Sequence, residues 1–170
     1  MSETDSLRSD LLEAMNFLGA MAAGLEEALG DPSKSISYLA GEKLGLQFSS
    51  GANRVDDLQD ALQEVSSILY KNHCLWAFEP FKKKSEKEMV HLSQEGEEIM
   101  LVFRDCMIRQ SLFCYGHPQK GSLCNMMFGF FSGALKNITG YSSRLEIVHA
   151  GENACYKRLT LFRKQNPLPA

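Results

Sequence analysis

Residues 121–139 constrain the fold most strongly, because they predict a long apolar helix that contains two glycines. Its apolar side chains recur every three or four positions, as on a helix face that packs against a core: Leu123, Met127, Phe131, Leu135 and Ile138. Gly129 and Gly133 are four positions apart and so lie on one side of the helix, and Gly140 is a natural C-terminal cap. Each interior glycine costs roughly 0.5–1 kcal/mol relative to alanine. We therefore expect another helix or a bound ligand to approach this backbone closely.

The segments around this helix predict an α+β domain whose helices pack on an antiparallel sheet. Helical periodicity covers four further segments: residues 6–29, 35–50, 54–71 and 107–116. Alternating or strongly apolar stretches predict five strands: residues 73–79, 89–93, 99–106, 143–149 and 155–163. The sequence contains neither an internal repeat nor a linker, so we expect a single domain over residues 1–170.

Composition argues against several classes of protein. With 170 residues, of which 44% are hydrophobic, the chain is long enough for one domain with a proper core. A net charge of −3 argues against a dedicated nucleic-acid binder, and no apolar run approaches the ~20 residues of a membrane span. The chain has five cysteines, an odd number, and its polar start M-S-E-T-D-S does not resemble a secretory signal. We therefore expect a cytoplasmic protein with reduced thiols.

Residues 124–155 contain four candidate metal ligands: Cys124, Glu146, His149 and Cys155. Thiolate, imidazole and carboxylate are ligands that zinc accepts in four-coordinate sites. In an ideal strand, Glu146 and His149 point to opposite faces, so they converge only if the strand bulges or ends by His149. The alternative is that the two cysteines are buried free thiols.

Residues 124–161 resemble the 4-vinyl-reductase domain, a family also called hydrocarbon-binding proteins. The resemblance rests on a cysteine, a glycine-containing helix that ends in glycine, a strand glutamate and the residues after it: Cys124, Gly140, Glu146, His149, Gly151 and Cys155. In sensor members of the family, a cysteine, a glutamate and two further cysteines bind zinc. The resemblance therefore implies a structural zinc clasp made by Cys124, Glu146 and Cys155, with His149 in the place of a cysteine.

The same resemblance implies a fold similar to that of transport-particle subunits and nitric-oxide sensor domains. Such a fold is often a homodimer, and it holds a small hydrophobic molecule in an apolar pocket between the helices and the sheet. Aromatic residues of this chain that are candidates to line that pocket are Trp76, Phe78, Phe103, Phe113, Phe128, Phe131 and Tyr141. Candidate polar anchors are Trp76, Tyr115 and His117. The alternative for each aromatic residue is an ordinary place in the core.

The sequence thus favours a ligand-binding or sensor module whose output passes through a regulatory protein partner. An enzyme of tetrapyrrole vinyl reduction is the alternative that the family name suggests, but the sequence shows no G-x-G-x-x-G site or phosphate loop. A haem sensor would need a histidine on a helix, whereas the candidates fall in predicted strands or loops: His73, His91 and His117. A scaffold subunit would use the N-terminal helix as its interface.

Overall fold

The protein is described by a computed structural model that covers residues 3–74, 76–83, 87–104, 106, 108, 120–151 and 154–163. Within these residues, four helices pack on a five-stranded antiparallel sheet, which confirms the predicted α+β class. The helices are α1 (Glu3–Leu29), α2 (Pro32–Phe48), α3 (Leu58–Lys71) and α4 (Ser122–Thr139). The strands are β1 (Phe78–Phe81), β2 (Val90–Leu92), β3 (Glu97–Arg104), β4 (Ser142–Ala150) and β5 (Ala154–Phe162).

The sheet has β3 and β5 at its centre. Its order is β1-β3-β5-β4, and β2 also pairs with β3. Strand β3 pairs with β5 on one side. On its other side it pairs with both β1 and β2, which follow one another along the same outer edge of the sheet. Alternation along β5 puts Cys155, Lys157 and Leu159 on the buried inner face, while Tyr156 and Arg158 lie on the outer face.

Helices α2 and α4 pack backbone against backbone through glycines. A methyl group added at Gly129 would lie 1.9 Å from the carbonyl oxygen of Tyr38, and one at Gly133 would lie 2.2 Å from another α2 carbonyl oxygen. From the other side, methyl groups at Gly41 and Gly45 would lie 1.9 and 2.2 Å from carbonyl oxygens of α4. The close approach expected at the α4 glycines is therefore made by a helix.

Helix α4 lies between α2 and the inner face of the sheet, and nearly all of its apolar side chains are buried. Helix α3 adds a stripe of buried side chains to the same core: Leu58, Ala61, Leu62, Val65, Ile68 and Leu69. No helix among the described residues is long and apolar enough to cross a membrane.

Two elements begin several residues after their predicted starts, and a third prediction is not tested. The strand predicted at residues 73–79 is observed at Phe78–Phe81 and includes Pro80, which an edge strand tolerates because one side of it needs no backbone partner. Helix α3 begins at Leu58, four residues later than predicted, because the Asp57 carboxylate caps it and accepts hydrogen bonds from two backbone N–H groups. The helix predicted at residues 107–116 falls on a segment of which only residue 108 is described.

Candidate ligand-binding site

Aromatic rings from α4, β1 and β3 form a continuous cluster under the helix. The ring of Phe131 lies 5.2 Å from that of Phe78 and 5.6 Å from that of Phe103, in edge-to-face geometry. Phe130 joins the cluster at 6.2 Å from Phe131, and Trp76 packs on Phe130 at 5.5 Å. We call Trp76, Phe78, Phe103, Phe130 and Phe131 the aromatic cluster. Such contacts add about 0.5–1.5 kcal/mol per pair to the gain from burial.

The aromatic cluster is unevenly buried. Phe103, Phe130 and Phe131 are fully buried, whereas Trp76 and Phe78 remain partly exposed. These two residues lie just before and at the start of the edge strand β1. The cluster is therefore partly open to solvent along one edge of the sheet.

A buried lysine adjoins the other end of the aromatic cluster. The Nζ atom of Lys157 lies 4.0 Å from the centre of the Phe103 ring and 5.5 Å from that of Phe128. It also donates a hydrogen bond to the thioether sulfur of Met127, at 2.8 Å. Burial lowers the pKa of Lys157, and the neighbouring thiols oppose that shift only in part.

Those thiols belong to Cys106, Cys124 and Cys155, which come from three different parts of the chain. Cys106 follows β3, Cys124 lies in the first turn of α4, and Cys155 is on β5, two residues before Lys157. All three are buried, and their side chains are in the reduced form. Burial raises the pKa of the Cys124 thiol, since a thiolate is poorly solvated there, and Lys157 offsets part of that shift. Three thiol side chains therefore lie near the lysine head.

Glu146 and His149, the other two predicted zinc ligands, lie on the opposite side of the sheet. A bulge between Ile147 and His149 puts both on the outer face, as bulging was expected to do. There, His149 is exposed, and Glu146 lies 3.5 Å from Arg158 and 3.7 Å from Arg144. The carboxylate thus has arginine partners in place of a metal.

The four residues of the predicted zinc clasp consequently do not converge. Cys124 on α4 and Cys155 on β5 lie on the inner side of the sheet, and the strand backbone separates them from Glu146 and His149. Zinc also needs thiolates, whereas burial raises the pKa of the Cys124 thiol and so favours its neutral form. Within the described part of the chain, no three His, Cys, Asp or Glu side chains are placed to hold one metal ion. These residues do not fit the zinc site that the resemblance implies.

The predicted pocket residues divide into three groups. The first group lies in or beside the aromatic cluster. Trp76, Phe78, Phe103 and Phe131 belong to the cluster, and Phe128 lies beside the Lys157 ammonium. Tyr141 lies beyond the end of α4, where the Arg163 guanidinium is 5.5 Å from its ring centre. Phe113, Tyr115 and His117 are outside the described residues.

Two residues of the site were missed by the sequence analysis. Phe130 lies next to the predicted core position Phe131, and it contacts both Trp76 and, at 6.0 Å, Phe48 of α2. Lys157 could have been found, because strict alternation with Cys155, Leu159 and Leu161 places it on the buried face. The alternation along the strand, rather than the residue type, indicates that Lys157 faces the core.

Comparisons with known proteins identify the fold but no family. No protein-family model matches this chain, and no curated protein matches it. Among solved structures, the chain is similar to the phenol-responsive sensory domain of the transcription activator PoxR, crystallised with phenol. The alignment has a TM-score of 0.62 and 14% sequence identity, and it covers 89% of this chain and 75% of that one. The chain therefore shares its fold with that domain.

Proposed function

We propose that this chain is a ligand-binding or sensor module for small, mostly apolar molecules. The observation that carries the proposal is the aromatic cluster, which is buried at Phe103 and Phe131 and partly open at Trp76 and Phe78. Ligand sites of this class are mostly apolar, with a few polar groups that fix orientation. The ligand would lie against the partly exposed rings of Trp76 and Phe78, between α4 and the β1 edge of the sheet.

Two likenesses support this proposal. The structural neighbour is described as a phenol-responsive sensory domain, and phenol is a small aromatic molecule of the size that a few rings can enclose. The resemblance of residues 124–161 to the 4-vinyl-reductase domain suggests the same class of ligand. We propose membership of that family on the motif alone, without the zinc clasp.

We also propose that the module works as a homodimer and passes its signal to a protein partner. Helix α1 exposes large apolar side chains at helical spacing, and α2 adds two more: Phe17, Leu18, Met21, Leu25, Leu29, Ile36 and Leu39. Phe17 is 69% exposed, and an apolar helix face of this length is typical of an interface. A second copy of the chain would cover this face. Native mass spectrometry tests it, because Phe17→Glu should then yield monomers, and a wild-type monomer would contradict the proposal.

Tryptophan fluorescence gives a direct test of ligand binding. The chain has one tryptophan, Trp76, and it lies in the aromatic cluster. Titration with phenol or toluene should change its emission and saturate, and calorimetry should give the same dissociation constant.

Phe78 and Phe81 provide a matched pair of variants for that titration. Phe78 faces α4, whereas Phe81, three residues along the same strand, packs on the outer face against Tyr156 at 5.2 Å. Phe78→Ala should weaken binding, and Phe81→Ala should leave it unchanged. Native mass spectrometry of the protein as purified extends the search to a retained ligand. Failure of both aromatic probes to bind, with no retained ligand, would overturn the proposed function.

A further inference from the structure

Lys157 is a buried lysine on the inner face of the sheet. Its side chain is only 2% exposed, and it lies in the middle of β5, opposite Leu101 of β3 and Ile147 of β4. Lysine is almost never fully buried unless an anion pairs with it. The surroundings of its ammonium group therefore indicate whether the protein itself supplies that anion.

The described residues offer only weak partners to this ammonium. Its hydrogen bond goes to a thioether, the Sδ atom of Met127, which is a poor acceptor, and two phenylalanine rings add cation–π contacts. Nearby titratable groups are three thiols, Cys106 beyond β3, Cys124 on α4 and Cys155 on β5. In the residues that the structure covers, no carboxylate forms an ion pair with Lys157. A buried cation with such partners is strongly disfavoured.

The ammonium is also continuous with the proposed ligand site. The Phe103 ring lies 4.0 Å from Nζ on one side, and it lies 5.5 Å from Phe78 and 5.6 Å from Phe131 within the aromatic cluster. A molecule that entered past Phe78 and reached the Phe103 ring would have its polar end near Nζ. The arrangement is an apolar surface with one charged donor at its end, which is the composition of a site for an amphipathic small molecule.

We propose that Lys157 is the polar anchor of the ligand site and that the ligand is a small aromatic anion carrying one ionised oxygen acid group. This inference rests on the proposed function, since it names the chemical class of ligand for the same site. The anionic oxygen accepts a charge-assisted hydrogen bond from Nζ, while the ring of the ligand packs against the aromatic cluster. The ligand thus supplies the counter-charge that the described residues do not.

Two probes of nearly the same shape distinguish the contribution of the ligand's negative charge to binding from that of its aromatic ring. Benzoate and nitrobenzene both carry a planar group with two oxygens, but benzoate is an anion and nitrobenzene is neutral. Binding of each is measured by calorimetry to the wild-type protein and to Lys157→Met, which keeps an unbranched side chain and removes the charge. Lys136→Met, near the end of α4, is the control for loss of one positive charge elsewhere. Lys157→Gln is a second neutral variant, and circular dichroism checks that every variant is folded.

The inference predicts that Lys157→Met and Lys157→Gln weaken benzoate binding roughly tenfold or more, the loss expected for a hydrogen bond to a charged group. Nitrobenzene should bind the wild-type protein and both variants equally, and Lys136→Met should alter neither probe. If nitrobenzene binds but benzoate does not, or if benzoate binds the Lys157 variants as well as wild type, Lys157 is not the anchor and the proposed function stands. If neither probe nor phenol or toluene binds the wild-type protein, the proposed function itself fails.

Discussion

Helix α4 is buried on two sides, and the two sides are built from opposite kinds of residue. Towards α2 it presents Gly129 and Gly133, so that the two backbones touch. Towards the sheet it presents Phe131, Met127 and Phe128, which hold the strands at the distance of large side chains. At the α2 interface the two backbones are therefore in direct contact, whereas at the sheet interface large side chains separate the helix from the strands.

The two interfaces also differ in the hydrogen-bond partners of their polar groups. On the α2 side, the Asn137 amide donates to the Leu46 carbonyl oxygen at 2.9 Å and to Ser49 Oγ at 3.0 Å. On the sheet side, the Lys157 ammonium has a thioether and two rings. The comparison indicates that the α2 side holds the fold together, while the sheet side buries a charge at a cost in stability, as the proposed binding surface would require.

The largest effect should come from adding one methyl group at the glycine interface. Gly129→Ala would place a carbon 1.9 Å from the Tyr38 carbonyl oxygen, and a backbone atom cannot move aside as a side chain does. We expect a loss of about 3 kcal/mol or more in the free energy of unfolding, at or above the usual range for overpacking. Urea unfolding followed by circular dichroism measures it.

Gly24→Ala is the control for that variant. Gly24 lies inside α1, and an added methyl group would meet no atom within 4 Å. The substitution should stabilise the protein by about 0.5–1 kcal/mol through helix propensity alone. A Gly129→Ala protein as stable as wild type would mean that α2 and α4 do not touch as described.

The second effect has the opposite sign and tests the sheet side. Lys157→Met removes a buried charge from an apolar site, so we expect a gain of about 1–3 kcal/mol in the free energy of unfolding. Chemical unfolding of the ligand-free protein measures this gain. A loss of stability would show that the ammonium has a strong partner in the native state.

The same variant should change how stability depends on pH. The pKa of Lys157 is lowered on folding, so the folded protein releases this proton first as the pH rises. The destabilisation is fully present below the folded pKa and disappears as the pH approaches the ordinary value of 10.5. The gain from Lys157→Met should therefore shrink at alkaline pH, and a gain that is constant across that range would contradict the assignment.

A smaller effect is expected at Asn137, which joins the ends of α2 and α4. Asn137→Ala removes two hydrogen bonds in a half-buried place, and we expect it to cost about 1 kcal/mol. A double-mutant cycle with Ser49→Ala isolates the part of this cost that belongs to the pair. Zero coupling energy would place the whole effect on the Leu46 carbonyl bond.

Local patterns were enough to predict most of the helices and strands, since their spacing of apolar residues is set by the periods of helix and strand. The close contact at Gly129 was also predictable, but the choice between α2 and a ligand was not, because it depends on how distant segments pack. It was harder to predict whether residues that are close in sequence lie in one site. Glu146 and Cys155 belong to adjacent, paired strands, yet they lie on opposite faces, so the sheet divides the zinc clasp that the family resemblance implied.

The smallest effect should come from Glu146, on the outer face of that sheet. Its carboxylate is 43% exposed and lies 3.5 Å from Arg158 and 3.7 Å from Arg144, a geometry worth about 0–1 kcal/mol in solvent. Glu146→Gln should therefore lower the free energy of unfolding only slightly, and added salt should reduce the difference further because it screens exposed pairs. Elemental analysis of the wild-type protein and this variant should give the same substoichiometric zinc content. One zinc per wild-type chain that is lost in Glu146→Gln would instead place the carboxylate and the buried thiols around one metal, and the division between the two faces of the sheet would be wrong.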